Sequence, residues 1–336
     1  MSVLKRIRAL YPLFLLIWTS VSFAIPLKTP ISFIERPEVK TFIQEMVQVH
    51  HFNKNTLITL LSAVPIRPSI VNQVQKPIEQ KPWNIYRLLF ITDKRIDQGV
   101  LFWNQYESAL MKAEKTYGVP ASIIVATIGI ETKYGLKHGK YRVIDALVNL
   151  AFTPGARANF FRKELIDFLL LTREQHLNPL TVMGSYAGAI GQPQFMPSSY
   201  RHYAVNFSGK PTIDLTNNEE DIIGSIANYY RQNGWQEHQP IAVPLALGEG
   251  MLQISLTMPK NISLAQLLEN NMLPDFSTVK DTKVILLNGN YRNEYWQIFH
   301  NFNVIKRYNH SMLYAMAVYQ LSYYITLKRS YHQHFS

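Results

Sequence analysis

The chain has 336 residues, no cysteine and a formal net charge of +11. That length buries a core without covalent staples, and the missing cysteines exclude disulfides, thiolate metal sites and cysteine nucleophiles. With 47% hydrophobic and 17% charged residues, the composition excludes wholesale disorder and a multi-span membrane protein.

Lys5, Arg6 and Arg8 precede an apolar run from Ala9 to Val21, and Ser22-Phe-Ala24 follows. A charged start, a short apolar middle and small residues before a cut after Ala24 predict a secretory signal peptide over residues 1–24, with an uncleaved anchor as the alternative. Removing that segment leaves 31 basic and 23 acidic residues. An exported protein of this charge suits polyanions or anionic surfaces, and nucleic acid is not an expected partner. No cysteine follows the signal to accept a lipid, so a soluble exported form is expected.

Residues 37–49 have the spacing of an amphipathic helix, with Val39, Phe42, Ile43, Met46 and Val47 on one stripe. A short helix over 54–63 follows, and four prolines between Pro65 and Pro82 predict an extended connector. Order resumes over 83–90, and residues 96–117 read as one helix.

The stretch from Pro120 to Gly135 is the focal one. Pro120 suits a first helical position and Gly135 the residue beyond a helix end, so the spacing predicts a helix over 120–134. Ile124, Ile128 and Glu131 then share a stripe. A carboxyl group held on an apolar stripe resists ionisation, which is what a general acid requires. A helix-end glutamate that snorkels to water or pairs with Lys133 is the competing reading.

Helices are predicted over 143–151 and 157–176, the latter with Leu165, Phe168, Leu169 and Thr172 on its stripe. Asp145 reads as a helix cap and, alternatively, as a second catalytic acid. Residues 184–200 then bring Gly184, Gly188 and Gly191 together with Ser185, Gln192 and Gln194. The glycines fit neither a dinucleotide fingerprint nor a P-loop. They let backbone approach a ligand or another helix closely, and the hydroxyl and amide groups match sugar hydroxyls and N-acetyl groups. A tight helix-packing seam is the competing reading.

Polar residues alternate from Asn206 to Asp214 as in a calcium loop, but Lys210 puts a cation where a third ligand belongs, so no metal is expected. A helix over 218–233 ends at Gly234. Strands are expected over 241–247 and 283–287, a helix over 263–270, irregular or extended chain over 295–307, and a final helix over 312–328 capped by Ser311. The ten histidines show no zinc spacing.

Ile-Gly-Ile-Glu-Thr-Lys-Tyr-Gly (128–135), Gly-Ser-Tyr-Ala-Gly-Ala-Ile-Gly-Gln-Pro-Gln-Phe-Met-Pro-Ser-Ser (184–199), Ile-Ala-Asn-Tyr-Tyr-Arg-Gln-Asn-Gly-Trp (226–235) and Arg-Tyr-Asn-His-Ser (307–311), with Tyr-Ala-Met-Ala-Val (314–318), stand in order. Together they resemble the membrane-bound lytic murein transglycosylase B family, from about residue 31 to residue 328. The resemblance implies a mainly helical α+β fold: a lysozyme-like catalytic core with a helical accessory domain and a small β-containing domain. The boundaries expected on that basis are 25–82 for an N-terminal helical segment and connector, 83–235 for the core, 236–300 for the β-containing domain and 301–336 for a C-terminal helix closing the core.

It further implies cleavage, without water, of the β-1,4 bond between N-acetylmuramic acid and N-acetylglucosamine in peptidoglycan. Glu131 matches the family's catalytic acid. Ser185, Gln194, Phe195, Met196, Tyr229, Tyr308, Asn309 and Tyr314 fall on positions of the sugar groove, and Tyr86 matches a groove tyrosine near the acid. The implied setting is periplasmic, with glycan strands as substrate, cell-wall synthases as companions, a monomeric state and no cofactor. Two departures stand out. The family's calcium-type loop is replaced here by Asn206, Ser208 and Lys210, and the cysteine used for membrane attachment is missing. A muramidase using Asp145 or Asp167 to activate water, and a non-catalytic wall-binding protein, are the rival readings.

Overall fold

The computed structural model describes residues 32–74, 81–245, 282–289 and 293–335. The expected signal peptide and the expected helix over 263–270 lie outside these residues. A 3-10 turn, Phe33–Glu35, leads into α1 (Pro37–Gln48) and α2 (Lys54–Ser62). Val39, Phe42, Ile43 and Met46 are buried, as the spacing of the first helix requires. The side chain of Asn53 caps α2 by accepting from the Thr56 N–H (3.0 Å).

The connector is not wholly extended. Pro68 opens a seven-residue helix, α3 (Pro68–Val74), which buries Ile70 and packs on the later helix 143–151; residues 75–80 lie outside the described chain. Proline at the start of a helix sacrifices no hydrogen bond, so a proline-rich stretch still accommodates this turn. α4 (Trp83–Phe90) follows, and the single helix expected over 96–117 is in fact two. α5 (Asp93–Gln105) is capped by Thr92 and stops at Tyr106, whose φ of −111° and ψ of 27° leave the helical region before α6 (Glu107–Tyr117) starts.

α7 (Ala121–Thr132) runs through the centre of the molecule. α5, α6, α11 (Glu219–Gln232) and the last helix all pack against it. The stripe expected for this helix is absent, because no polar face exists: every residue from Ala121 to Thr132 is buried except Ser122 and Glu131. Burying five Ile and Val side chains here stabilises the fold by roughly 1.5–3 kcal/mol each. Pro120 is the N-cap, and the helix ends two residues before its expected limit.

Beyond α7 lie β1 (Tyr141–Arg142), α8 (Val143–Ala151), α9 (Ala158–Glu174), β2 (Met183–Gly184) and α10 (Pro197–Tyr203). β1 and β2 form a two-stranded antiparallel pair with Tyr141 opposite Gly184. A three-stranded antiparallel sheet follows in the order β3 (Ala242–Pro244), β5 (Asn293–Ile298), β4 (Lys283–Asn288). The stretch 295–307, expected to be irregular or extended, supplies most of the central strand β5, which is extended, and then α12 (His300–Tyr308), which is not. The buried β5 residues Tyr295, Gln297 and Ile298 give no clean apolar alternation to read in sequence, and pairing on both sides stabilises the strand. α13 (Met312–Phe335) closes the chain against α4, α5, α7 and α12. Among the described residues no helix is long and apolar enough to cross a membrane.

Candidate active site

Glu131 sits on the last turn of α7, where the helix leaves its fully buried course. Three consecutive residues beyond it are left-handed: Lys133 (φ 54°), Tyr134 (φ 56°) and Gly135 (φ 81°). Two of these are not glycine, so the turn carries a backbone cost that something must offset. Tyr134 supplies the offset. Its ring folds back into a notch between α5 and α7, and its hydroxyl donates to the Arg95 carbonyl (2.9 Å). The notch exists because Gly99 and Gly129 lack side chains: a Cβ would stand 2.6 Å and 2.5 Å from the Tyr134 hydroxyl.

The carboxylate of Glu131 accepts a hydrogen bond from the Tyr314 hydroxyl (Oη to Oε1, 2.7 Å). Tyr314 is 2% exposed and lies one turn into α13, where the Ser311 hydroxyl caps the helix by accepting from the Tyr314 N–H (3.3 Å). Its ring lies nearly parallel to that of Tyr308 (centroids 6.2 Å, 13° between planes). Burial pushes both phenols well above their ordinary range, and the neighbouring Glu131 charge pushes the same way. Both therefore stay neutral hydrogen-bond donors, which is what an ionised acid beside them needs.

Tyr308 is the hub of an aromatic cluster with Phe195, Tyr229 and Tyr230 at 5.8, 4.7 and 5.5 Å. Its hydroxyl donates to the Pro193 carbonyl (2.8 Å), which ties the turn between α12 and α13 to the glycine-rich loop. Tyr229 donates to the Arg307 carbonyl (2.8 Å). Tyr230 shares a hydrogen bond with the Thr127 hydroxyl (2.8 Å), anchoring α11 to α7 one turn before Glu131.

The 184–196 segment is a compact loop, not the helical seam that small residues also suggest. Ile190 bridges to both Gly184 and Phe195. Gly191, at φ 69°, passes so close to the Leu215 carbonyl that a Cβ would stand 2.2 Å from its oxygen. The Ser185 hydroxyl accepts from the N–H groups of Ala187 (3.2 Å) and Ala189 (3.1 Å) and keeps its own proton to donate. Gln194, left-handed at φ 52°, donates its amide to the Gly191 carbonyl (2.8 Å). Phe195 is buried and Met196 partly exposed. The loop is joined to α7 through the Thr132 hydroxyl, which donates to the Gln192 carbonyl (3.3 Å).

The structure thus brings Glu131, Tyr308, Tyr314, Phe195 and Tyr229 into one network with the loop of Ser185 and Gln194. Asn309, partly buried, is the extended residue that ends α12, and its carbonyl accepts from the Ser311 N–H. Tyr86 is buried on α4, against Trp83 (6.4 Å) and Phe90 (4.8 Å). Thr127, Thr132 and Tyr230, the last expected only as an inward residue of its helix, also join this network. Two threonines inside an otherwise apolar helix were the available signal, since buried hydroxyls require partners.

The other acids weighed in sequence are committed elsewhere. Asp145, in the first turn of α8, is gripped by Arg142 (2.7 Å) and faces Arg67 (3.9 Å). Asp167 pairs with Arg201, which also binds Glu174 (2.7 Å). The 206–214 loop is organised by Asp221, whose buried carboxylate accepts from the N–H groups of Phe207 (2.9 Å), Ser208 (2.9 Å) and Asp214 (3.1 Å) and from the Asn218 amide (3.0 Å). Lys112 donates to the Phe207 carbonyl (2.8 Å) over the Phe207 ring. The Asp221 carboxylate is thus spent on N–H donors of its own loop.

The SLT_2 family model, described as the transglycosylase SLT domain, matches residues 35–323. The membrane-bound lytic murein transglycosylase B of Escherichia coli K12 is 39% identical over 309 residues, covering 88% of this chain and 85% of that protein. The crystal structure of the soluble lytic transglycosylase SltB1 from Pseudomonas aeruginosa is 43% identical, covers 88% of this chain and all of that one, and superposes with a TM-score of 0.78. SltB3 from the same organism, solved with NAG-NAM-pentapeptide and with NAG-anhNAM-pentapeptide, is 27% identical, covers 85% of this chain and 78% of that one, and gives TM-scores of 0.71 and 0.72. The chain belongs to the membrane-bound lytic murein transglycosylase B family, with a lysozyme-like, mainly helical fold, and is a transglycosylase.

Proposed function

We propose that this enzyme cleaves the β-1,4 bond between N-acetylmuramic acid and N-acetylglucosamine and closes a 1,6-anhydro ring on the muramic acid, with Glu131 as both acid and base. The observation that carries the reading is the Tyr314 hydroxyl donating to Glu131 (2.7 Å) while Asp145 and Asp167 are held in ion pairs with arginines. A hydrolase normally needs a second carboxylate to activate or replace water. A lytic enzyme does not, because the sugar supplies its own nucleophile.

Glu131 first gives its proton to the bridging oxygen, and the bond from C1 of muramic acid to that oxygen breaks. Positive charge builds at C1 and the neighbouring N-acetyl group stabilises it. The Glu131 carboxylate, steadied by Tyr314, then takes the proton of the C6 hydroxyl as its oxygen bonds to C1. The acid is restored and no water is consumed. In this scheme Gln194 and Ser185 orient polar groups of the sugar, Phe195 and Met196 keep water from the acid, and Tyr86, Tyr229, Tyr308 and Asn309 line the groove. The SltB3 complex with NAG-anhNAM-pentapeptide supports this reading by kinship. Action on glycan strands in the periplasm, after export, belongs to the same proposal.

Mass spectrometry of digested cell wall tests it. Muropeptides lighter by one water than their reducing counterparts are expected, and reducing muramic ends would replace the scheme with hydrolysis.

A further inference from the structure

The loop that leaves Glu131 meets the first turn of α5, and the meeting point is strongly cationic. Arg95 is 6% exposed, yet its guanidinium makes no hydrogen bond and no ion pair with any described residue, and its Nη1 is shut off from solvent as well. Its guanidinium lies over the Phe90 ring, 5.3 Å away, and close enough to the Tyr134 phenol for the two to sense each other. A buried charge without a partner is costly, so its retention calls for an anion that the chain itself does not provide. Lys94 and Lys137 are exposed beside it and Lys133 is partly so. None of these four has an acidic partner among the described residues. They sense one another: the Lys133 ammonium is pushed below its ordinary value by Lys137 first, then by Arg95, its own burial and Lys94. The Tyr134 hydroxyl, bonded to the Arg95 carbonyl, fixes the loop against α5, so the cluster is built into the fold.

Its position says what the anion is attached to. Lys133 follows Glu131 by two residues, so their Cα atoms are at most about 7.6 Å apart. A five-residue peptide reaches roughly 17 Å when extended, and it ends in a carboxylate. We propose that Arg95, with Lys94, Lys133 and Lys137, forms an anion-binding edge beside the reaction centre that takes a carboxylate of the peptide carried by the muramic acid. This rests on the functional reading above. It makes Arg95 and Lys137 determinants of specificity for peptide-bearing over bare glycan, without a part in bond cleavage.

The test compares the full-length wild type with Arg95→Gln, Arg95→Lys and Lys137→Gln on two substrates: glycan strands bearing peptides, and the same strands stripped of peptide by an amidase. Arg95→Gln should raise KM for peptide-bearing strands by roughly tenfold or more, the loss of one charge-assisted hydrogen bond, and exposed Lys137→Gln by about two- to fivefold, with kcat nearly unchanged in both. KM for bare strands should not move, and Arg95→Lys should recover most of the difference. Lys137 is exposed, so its variant decides the matter even if Arg95→Gln folds poorly. Equal effects on both substrates, or none, would overturn the site. So would inhibition by inorganic phosphate that depends on Arg95 and is equal on both substrates, since the edge would then serve a free anion. If the wild type binds strands but releases nothing, the functional reading falls. The site is then still decided by whether Arg95→Gln weakens binding of peptide-bearing strands alone.

Discussion

Two buried ends of neighbouring helices each hold a carboxylate, and they behave differently. At the start of α11, Asp221 is fully buried and, among the described residues, accepts from three backbone N–H groups and one amide. At the end of α7, Glu131 is only partly buried, and Tyr314, a neutral phenol from the far end of the chain, donates to it. Burial alone does not make an acid catalytic. What matters is how its oxygens are engaged: those of Asp221 are taken by backbone and amide donors that hold a loop, whereas Glu131 takes the hydroxyl of a phenol that stays neutral.

The contrast can be broken from either side. The largest effect is expected for Glu131→Gln, which should cut release of soluble wall fragments by about a thousandfold or more while the melting temperature stays within a few degrees. Appreciable residual turnover would remove Glu131 from its role. Asp221→Ala should do the reverse. It leaves several buried N–H groups without an acceptor, at roughly 1–3 kcal/mol each, so urea unfolding should show a loss of about 3 kcal/mol or more. Turnover per folded molecule should change little.

Tyr314→Phe sharpens the comparison. A hydrogen bond to a charged group contributes about 1.5–3 kcal/mol, so kcat should fall roughly ten- to a hundredfold with stability little altered. An unchanged kcat would show that the phenol does not act on Glu131. The smallest effect concerns Glu164, a buried acid bonded by the Ser198 N–H (3.0 Å) and hydroxyl (2.7 Å). Burial raises its pKa, the Ser198 bonds oppose this, and the Asp167 charge adds to the rise. An acid with a raised folded pKa contributes most below the ordinary value of 4.5 and loses that contribution as pH rises through the folded value. Glu164→Gln should therefore destabilise the protein more at pH 4 than at pH 7, a difference read from urea midpoints at the two pH values.

Much of this was visible in the chain before any coordinates. Glu131, the glycine-rich block and the Arg307 to Ser311 turn could be found because each combines residue types that serve poorly elsewhere. Helix 37–48 followed from periodicity, and 143–151 from an apolar run with Asp145 near its start. What could not be read has physical causes. α7 has no polar face, so its period conveys nothing about which side meets the site. The break at Tyr106 is a matter of local dihedral angles with no glycine or proline to mark it. β5 depends on pairing with two strands distant in sequence, and such pairing overrides the weak local preference of Asn293 to Ile298. The left-handed turn at Lys133 and Tyr134 is stabilised by a notch between Gly99 and Gly129, thirty residues apart, and only packing reveals that those glycines act together.

The central claim is that one carboxylate performs both proton transfers and that the sugar's own hydroxyl replaces water. Digestion of peptidoglycan in water enriched in oxygen-18 addresses it most directly. The account predicts muramic ends that carry no solvent oxygen and are one water lighter than reducing ends. Incorporation of the label at C1 of the muramic acid would contradict it.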